Sequence, residues 1–466
     1  MYAVAVAVAG ILFVTGIIAF RKIFFTLIEN TTALLNVMLD SQMGEDEKQK
    51  MLVARLGKLL GSFAIFILVL VMLLVVTALP IGLYALFTGS TMEQLDFSSW
   101  RFLLVLGVSS LLPFIIQERI AKKKDYSDLS QLFHRIIFNN RNIARQLFQV
   151  EKYFYATKIA KREERFVIIS GLARAGTTAL TTVLHASNKF HSLSYGNMPM
   201  LMSPHLWRVF YKPKEGKLKE RSHGDRVLFG YNTVEALEEY FWKVFLHDKF
   251  IGEKTLTFHE VDPTVYQEYI TYQNLIKPDL RSTSLYLAKN NNFILRYASV
   301  RKLNPDFVIL ILFRDPVEHA YSLLNQHQRY TRFQQEDAFV LEYMNWLGHH
   351  EFGLNHKYFD LLSAGELEPY DPQSMSYWLR IWIAYYTYIL NLPADHNLML
   401  IDYHDFLFHP EQVVSAIGQK LNINLGGHRV EKFDNTKAIS FDGDPALKAR
   451  AMEVYHQLQT KRTVFG

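Results

Sequence analysis

Long apolar stretches without charged residues mark the first quarter of the chain and predict helices that span a membrane. Residues 1–20 carry no charge, and residues 59–92 form a charge-free stretch of 34 positions. A spanning helix needs about 20. Pro80 allows a kink near the far end of the second stretch. A third, shorter stretch covers residues 102–117 beside Trp100, a residue type common at membrane interfaces. This pattern predicts about three transmembrane helices.

The charges between these stretches predict how the helices are oriented. Basic side chains lie between the first two stretches, and Lys122 to Lys124 follow the third, whereas residues 93–99 include no Lys or Arg. The positive-inside rule then places the N-terminus outside, residues 21–58 inside, and everything after residue 118 in the cytoplasm. A cleaved signal peptide is the alternative for residues 1–20, but it would lack a basic N-terminal region and a small-residue cleavage site.

The pattern changes twice further along the chain. Between residues 126 and 164, apolar side chains recur at helical spacing among basic ones, which predicts an amphipathic linker helix. From residue 165 to 466, short β-rich runs alternate with helical segments, and this alternation is typical of an α/β domain with a mainly parallel sheet. The chain is thus predicted to divide into a membrane region (1–125), a linker (126–164) and an α/β domain (165–466).

Composition removes several classes of function. The chain has 466 residues, of which 50% are hydrophobic and 20% charged, and this is too apolar for a disordered protein. A net charge of only +5 argues against a protein that coats nucleic acid. Cysteine is absent, which excludes disulfides, thiolate zinc sites, iron–sulfur clusters and cysteine nucleophiles.

An anion-binding loop is predicted where a β-rich run meets a helix. The turn between them contains Gly171 and Gly176, and the helix opens with Thr177 and Thr178, so that backbone N–H groups converge. The glycine spacing matches a Walker A loop, but Thr177 stands where a nucleotide triphosphatase needs lysine. The guanidinium of Arg174 can clamp a phosphate that is held and not transferred. An ordinary strand–turn–helix connection is the alternative.

A second phosphate-binding segment is predicted at residues 307–322. A continuous apolar run, typical of a buried parallel strand, ends at Arg314. Asp315 can cap the next helix, and Pro316 suits its first turn. Ser322 falls on the second turn of that helix, so its hydroxyl and the guanidinium can bind one phosphate together. A surface arginine at a strand end is the alternative.

These two segments resemble the motifs of sulfotransferases that use 3′-phosphoadenosine 5′-phosphosulfate. The first is similar to the 5′-phosphosulfate loop of that family, and the second to its 3′-phosphate motif. The resemblance covers about residues 165–430 and implies a P-loop-like α/β fold, in-line sulfuryl transfer and no metal requirement. It also implies that the 5′-phosphosulfate is bound by Arg174, Ala175, Gly176, Thr177 and Thr178, and the 3′-phosphate by Arg314 and Ser322.

Two weaker segments agree with the resemblance, and each contains a lysine. Residues 252–255 resemble the Glu-Lys-Thr-Pro stretch of glycan sulfotransferases, without its proline, and this resemblance makes Lys254 the candidate that neutralises charge on the leaving phosphate. Residues 284–291 resemble the Lys-Asn-Pro stretch that precedes the 3′-phosphate strand. Lys289 either lines the site or is solvated.

The general base does not follow directly from the resemblance. The tyrosylprotein branch of the family carries a glutamate in the loop after the first helix, but the matching residues 194–198 include no carboxylate. A helical run from 234 to 245 offers Glu235, Glu238 and Glu239, and we place Glu238 and Glu239 in the catalytic set. Adjacent helical positions diverge by about 100°, so only one of those two is expected to point inward. The remaining candidates are the histidines His205, His223 and His259.

The sequence therefore predicts a membrane-anchored, cytoplasm-facing sulfotransferase that acts on a lipid or glycan acceptor. Its predicted partners are the lipid bilayer and that acceptor, with no nucleic acid. One alternative is a kinase-like P-loop enzyme, which the missing lysine at position 177 disfavours. The other is a catalytically inactive membrane scaffold, which the missing loop glutamate keeps open. Neither the acceptor's identity nor the oligomeric state follows from the sequence.

Overall fold

The computed structural model describes most of the chain in two compact units, Met1–Ile143 and Ala144–Gly466. The two units are treated separately below. The residues described are 2–40, 43–90, 99, 102, 104–110, 113, 128–210, 219–220, 228–229, 234–362, 364–367, 371–425, 440–441 and 443–463.

Two long helices form most of the first unit: α1 (Tyr2–Met38) and α2 (Glu45–Thr88). They pack so closely that a Cβ atom at Gly16 would collide with the side chain of Leu73. Both helices are long and apolar enough to cross a membrane. α2 ends where Gly89 adopts a left-handed conformation with φ of 66°, a common way for a helix to stop.

These helices differ in extent from the predicted spans. α1 does not end at Arg21, because the residues after it are also apolar at helical spacing and continue the helix to Met38. α2 begins 14 residues before the charge-free stretch, at Glu45, and contains Pro80 in its interior. Of the predicted third span, residues 102–117, the structure describes 102, 104–110 and 113, and these residues are helical. The number of spans and their orientation stay predictions.

The predicted linker forms two helices and not one. These are α3 (Asp128–Phe138) and α4 (Arg141–Tyr155), followed by a single 3₁₀ turn, Ala156–Lys158. The break lies at Asn140, whose side-chain amide donates to the carbonyl oxygen of Ile136 at 2.6 Å. Asparagine competes in this way with the helical hydrogen bonds of the backbone. The boundary between the compact units falls within α4.

A five-stranded parallel sheet with the order β2-β6-β1-β7-β9 organises the second unit. This confirms the predicted α/β class. Two small sheets pair β3 with β4 in antiparallel orientation and β5 with β8 in parallel. The strands are β1 (Phe166–Ser170), β2 (Phe190–His191), β3 (Lys219–Glu220), β4 (Leu228–Phe229), β5 (Thr255–Leu256), β6 (Leu285–Lys289), β7 (Val308–Phe313), β8 (Tyr358–Phe359) and β9 (Leu398–Asp402).

Helices connect the strands and cover the sheet, as right-handed parallel crossovers require. They are α5 (Thr177–Ala186), α6 (Pro204–Phe210), α7 (Glu239–Leu246), α8 (Pro263–Ile276), α9 (Tyr297–Leu303), α10 (Pro316–Glu336), α11 (Ala338–Leu347), α12 (Ala364–Leu367), α13 (Met375–Leu390), α14 (Tyr403–Phe408), α15 (Pro410–Leu421) and α16 (Pro445–Lys461).

The central strands are apolar at every position because both faces of the sheet are covered. All five residues of β1 and all six of β7 are buried, as expected for a parallel sheet between helices. In this parallel arrangement the carboxyl ends of β1, β6, β7 and β9 meet at one edge of the sheet. Ligands of open α/β sheets bind at this edge, and both predicted phosphate segments begin there.

Candidate active site at the carboxyl edge of the sheet

The loop after β1 forms a turn that only glycine fits at two positions. Gly171 has φ of 139°, and a Cβ atom there would lie 2.6 Å from the carbonyl oxygen of Leu312. Gly176 has φ of 99°, and a Cβ atom there would collide with the ring of Tyr403. α5 then begins at Thr177 and runs for ten residues, so its first N–H groups face the turn. The turn and helix start therefore provide the backbone donors that an anion needs.

The two predicted phosphate segments meet in the structure although they lie far apart in the sequence. The Nε atom of Arg174 donates to the Ser322 hydroxyl at 3.3 Å, across 148 residues of chain. Nε2 of His319, on α10, lies 2.8 Å from the carbonyl oxygen of Ala173. Burial lowers the pKa of His319 to about 3, so the ring is neutral and donates this hydrogen bond. The second segment thus fixes the backbone of the first loop.

Arg314 occupies the carboxyl end of β7, as predicted. Asp315 caps α10 by accepting hydrogen bonds from the N–H groups of Val317 and Glu318 at 2.9 and 3.0 Å. The guanidinium of Arg314 donates to Glu318 Oε2 from Nη2 at 2.9 Å and from Nε at 3.2 Å. It also lies 5.1 Å from the ring centre of Tyr403. Tyr403 therefore borders both phosphate segments, a contact that the sequence did not predict.

Lys289 lies inside the site. It ends β6, and its ammonium donates to the Thr178 hydroxyl at 2.7 Å. The same ammonium lies 3.3 Å from Glu235 Oε2, and the side chains of Lys289 and Glu235 are only 12% and 7% exposed. Of the two alternatives for Lys289, the structure supports the one in which it lines the site. The phosphate loop, a cation and a carboxylate are thus joined in one chain of contacts.

Glu238 and Glu239 are both buried, so the expectation that only one of them points inward is wrong. Glu238 has helical φ and ψ of −63° and −31°, so the two side chains do diverge, but α7 is buried on every side, from Glu239 to Phe245. Glu239 forms a bidentate ion pair with the fully buried Arg296 at 2.7 and 2.8 Å. This pairing engages both carboxylate oxygens of Glu239, and the catalytic role assigned to it from the sequence stays a prediction.

Glu238 is part of a buried hydrogen-bond network. It accepts from the Tyr269 hydroxyl at 2.7 Å and from the side-chain amide of Asn290 at 2.8 Å. Burial raises the pKa of Glu238, which favours the protonated carboxyl. Both carboxyl oxygens of Glu238 are engaged in this network, and its place in the catalytic set stays a prediction.

Lys254 lies beside the small sheet of β5 and β8. Its carbonyl oxygen accepts from the N–H of Tyr358 at 3.2 Å. Its side chain is exposed. Its assigned role in assisting the leaving group stays a prediction.

Two of the three predicted histidines, His205 and His259, contact groups other than the phosphate-binding segments. His205 stacks on the Tyr155 ring at a centroid distance of 4.8 Å, and burial lowers its pKa to about 4. His259 accepts from Nε of Arg296 at 3.1 Å, and burial followed by the Arg296 charge lowers its pKa to about 4. His223 lies outside the described residues.

Glu351 is a further carboxylate near the site that the sequence did not predict. The side-chain amide of Asn291, two positions after Lys289, donates to Glu351 Oε1 at 3.3 Å. Burial raises the pKa of Glu351, but the hydrogen bond and charge of His349 and the charge of Lys289 outweigh it and lower the pKa to about 2. No motif around Glu351 signals this position. Among the described residues, no group of three or more His, Asp or Glu is placed to hold a metal ion.

Comparison with known proteins identifies the family. Residues 164–463 match the sulfotransferase domain family. The chain is similar to the solved sulfotransferase STF1 from Mycobacterium tuberculosis H37Rv, with 14% identity, a TM-score of 0.36, and coverage of 64% of this chain and 79% of that chain. It is also similar to a solved sulfotransferase from Alicyclobacillus acidocaldarius, with 16% identity, a TM-score of 0.32, and coverage of 65% of this chain and 98% of that chain. No curated protein matches the chain. Because the family match spans well over half of the sequence, the chain belongs to the sulfotransferase domain family.

Proposed function

We propose that this protein transfers a sulfuryl group from 3′-phosphoadenosine 5′-phosphosulfate to a hydroxyl group. The observation that carries the proposal is the contact between Arg174 and Ser322, which joins two separate anion-binding segments. A donor with a 5′-phosphosulfate and a 3′-phosphate needs two such segments side by side. The loop around Gly176 and the start of α5 would bind the first group, and Arg314 with Ser322 the second.

The contacts of Lys289 suggest how the chain would assist the reaction. In sulfuryl transfer the acceptor oxygen forms a bond to sulfur while the bond between sulfur and the bridging phosphate oxygen breaks. That oxygen gains negative charge, which a nearby ammonium stabilises. Lys289 is placed for this role because it contacts Thr178 at the start of α5. Glu235, beside it, is our candidate for accepting the acceptor's proton.

We further propose that the enzyme is attached to a membrane and acts on a lipid or lipid-linked glycan. The support is the length and apolar composition of α1 and α2. The basic residues between them support a cytoplasmic position for that connection, on the side where the donor is made. Such an arrangement would bring the catalytic unit to acceptors at the inner leaflet.

Calorimetric titration of the solubilised full chain tests the donor site directly. Adenosine 3′,5′-bisphosphate should bind without metal and more tightly than ATP with magnesium. Preference for magnesium-ATP would instead support a kinase-like enzyme. If neither ligand binds, the domain is a scaffold and the proposal fails.

Replacing either phosphate-binding arginine should weaken binding of the bisphosphate. Arg174→Ala and Arg314→Ala each remove charge-assisted hydrogen bonds, which lowers the binding free energy by about 1.5–3 kcal/mol. Arg332→Ala, an exposed arginine on the same helix as Ser322, is the matched control and should bind like the wild type. Equal affinity in the wild type and both site variants would refute the assignment.

Lys289→Met should lower kcat about 10²–10³-fold, because it removes a cation aimed at charge that develops in the transition state. Lys254→Met is the matched control, since the resemblance assigned this role to Lys254, whose side chain is exposed. Steady-state transfer from a sulfur-labelled donor compares the two. A large loss in Lys254→Met and none in Lys289→Met would return the role to Lys254.

A further inference from the structure

One face of α4 carries large apolar side chains that are open to solvent. Val150, Tyr153 and Phe154 are 42%, 79% and 53% exposed. Their spacing places them on the same side of the helix, opposite Phe148, which is fully buried. Monomeric soluble domains rarely leave aromatic and aliphatic side chains together on one helix face. We name these three residues the α4 face.

The α4 face belongs firmly to the second unit. Glu151 accepts hydrogen bonds from the backbone N–H groups of His205 and Leu206 at 2.7 and 2.9 Å, which joins α4 to α6. Lys152 forms an ion pair with Glu268 of α8 at 2.7 Å. These contacts hold α4 to the second unit, and Val150, Tyr153 and Phe154 lie on the other side of the helix from Glu151 and Lys152.

Basic residues continue from this face. Residues 144–162 include five Lys or Arg but only one acidic residue, the buried Glu151. Lys158, Lys161 and Arg162 are exposed directly after the helix. The carboxylates nearest to the last two are those of Glu163 and Glu164, at 3.7 and 3.8 Å. An apolar face bordered by exposed basic side chains is the composition of helices that lie in the interface of an anionic bilayer.

We propose that the α4 face docks on the anionic surface of a lipid bilayer. Val150, Tyr153 and Phe154 would enter the headgroup region, and Lys158 and its basic neighbours would contact lipid phosphates. The inference rests on the proposed membrane attachment and not on sulfuryl transfer. It adds an orientation: the second unit would be held against the membrane by its own surface and not only by the chain that precedes it.

The absence of cysteine makes a direct test simple. The full chain with Tyr153→Cys, labelled with a fluorophore, is placed in nanodiscs that contain lipids brominated near the headgroups. The matched control is Ala449→Cys on α16, which is also exposed. α16 contacts the edge strand β9 through the hydrogen bond from Tyr455 to Asp402, whereas α4 lies on the side of β2, the opposite edge.

The label at position 153 should be quenched at least about twofold more than the label at 449, because interfacial helices enter about 5–10 Å into the headgroup region. Phosphatidylglycerol should increase the quenching over pure phosphatidylcholine, and Lys158→Glu should reduce it. Equal quenching at both positions would overturn the proposal. So would disulfide cross-linking of two unlabelled Tyr153→Cys chains together with no quenching of the labelled chain, since a second copy would then cover the face.

Titration of the same samples with adenosine 3′,5′-bisphosphate separates the two proposals. Bisphosphate binding without quenching would overturn the docking while leaving the donor site intact. Quenching without bisphosphate binding would support the docking and count against the proposed chemistry. Bisphosphate binding by the labelled variants also shows that they are folded.

Discussion

Glu235→Gln should lower kcat about 10²–10⁴-fold, the usual contribution of a general base. The substitution keeps the size of the side chain but removes the proton acceptor that lies 3.3 Å from the ammonium of Lys289. Because Glu235 forms its ion pair with Lys289, affinity for adenosine 3′,5′-bisphosphate should change little. Transfer from a sulfur-labelled donor measures the rate, and calorimetry measures the affinity.

The pH profile distinguishes a base from a residue that only positions Lys289. With a glutamate base, the wild-type rate falls as the pH drops and the carboxylate becomes protonated, and Glu235→Gln flattens this acidic limb. A merely positioning role would lower the rate equally at every pH. Glu351→Gln is the matched control, because this second carboxylate also lies near Lys289. If Glu351→Gln loses the acidic limb and Glu235→Gln keeps it, the base is Glu351.

Arg296→Met should destabilise the second unit by about 3–5 kcal/mol, the cost of breaking a buried ion pair. Arg296 is completely buried, and Glu239 would keep a buried charge without its partner. The guanidinium also packs over the Trp242 ring at 4.8 Å, a contact that methionine replaces only in part. Denaturant unfolding, followed by tryptophan fluorescence, measures the loss.

The matched control for this prediction removes both charges. Arg296→Met combined with Glu239→Met should be more stable than Arg296→Met alone, because no buried charge is left unpaired. A double variant that is no more stable than the single one would show that packing of Arg296, and not its pairing with Glu239, stabilises this region.

The parts of the site that could be predicted are those whose residues are contiguous. The loop from Gly171 to Thr178 combines strand, glycines and helix start within one short segment, and local geometry follows from local sequence. The segment at Arg314 is equally compact. The alternating pattern after residue 165 likewise predicted a parallel sheet, since buried strands must be apolar on both faces.

The part that could not be predicted depends on contacts between distant residues. Lys289 contacts Thr178 across 111 residues and Glu235 across 54, and no periodicity encodes such contacts. The choice of Lys254 rests on a four-residue resemblance, and its role stays a prediction. The expectation that only one of Glu238 and Glu239 points inward assumed a helix with an exposed face, but α7 is buried on every side.

The pairing of Arg314 with Glu318 affects how a ligand would leave the site. The guanidinium of Arg314 is paired with an anion, the carboxylate of Glu318, at 2.9 Å. Binding of a 3′-phosphate would therefore exchange one anion for another. When the product leaves, the carboxylate of Glu318 would take the place of its 3′-phosphate on Arg314. We expect such an internal competitor to weaken donor and product alike, which favours rapid turnover over tight retention.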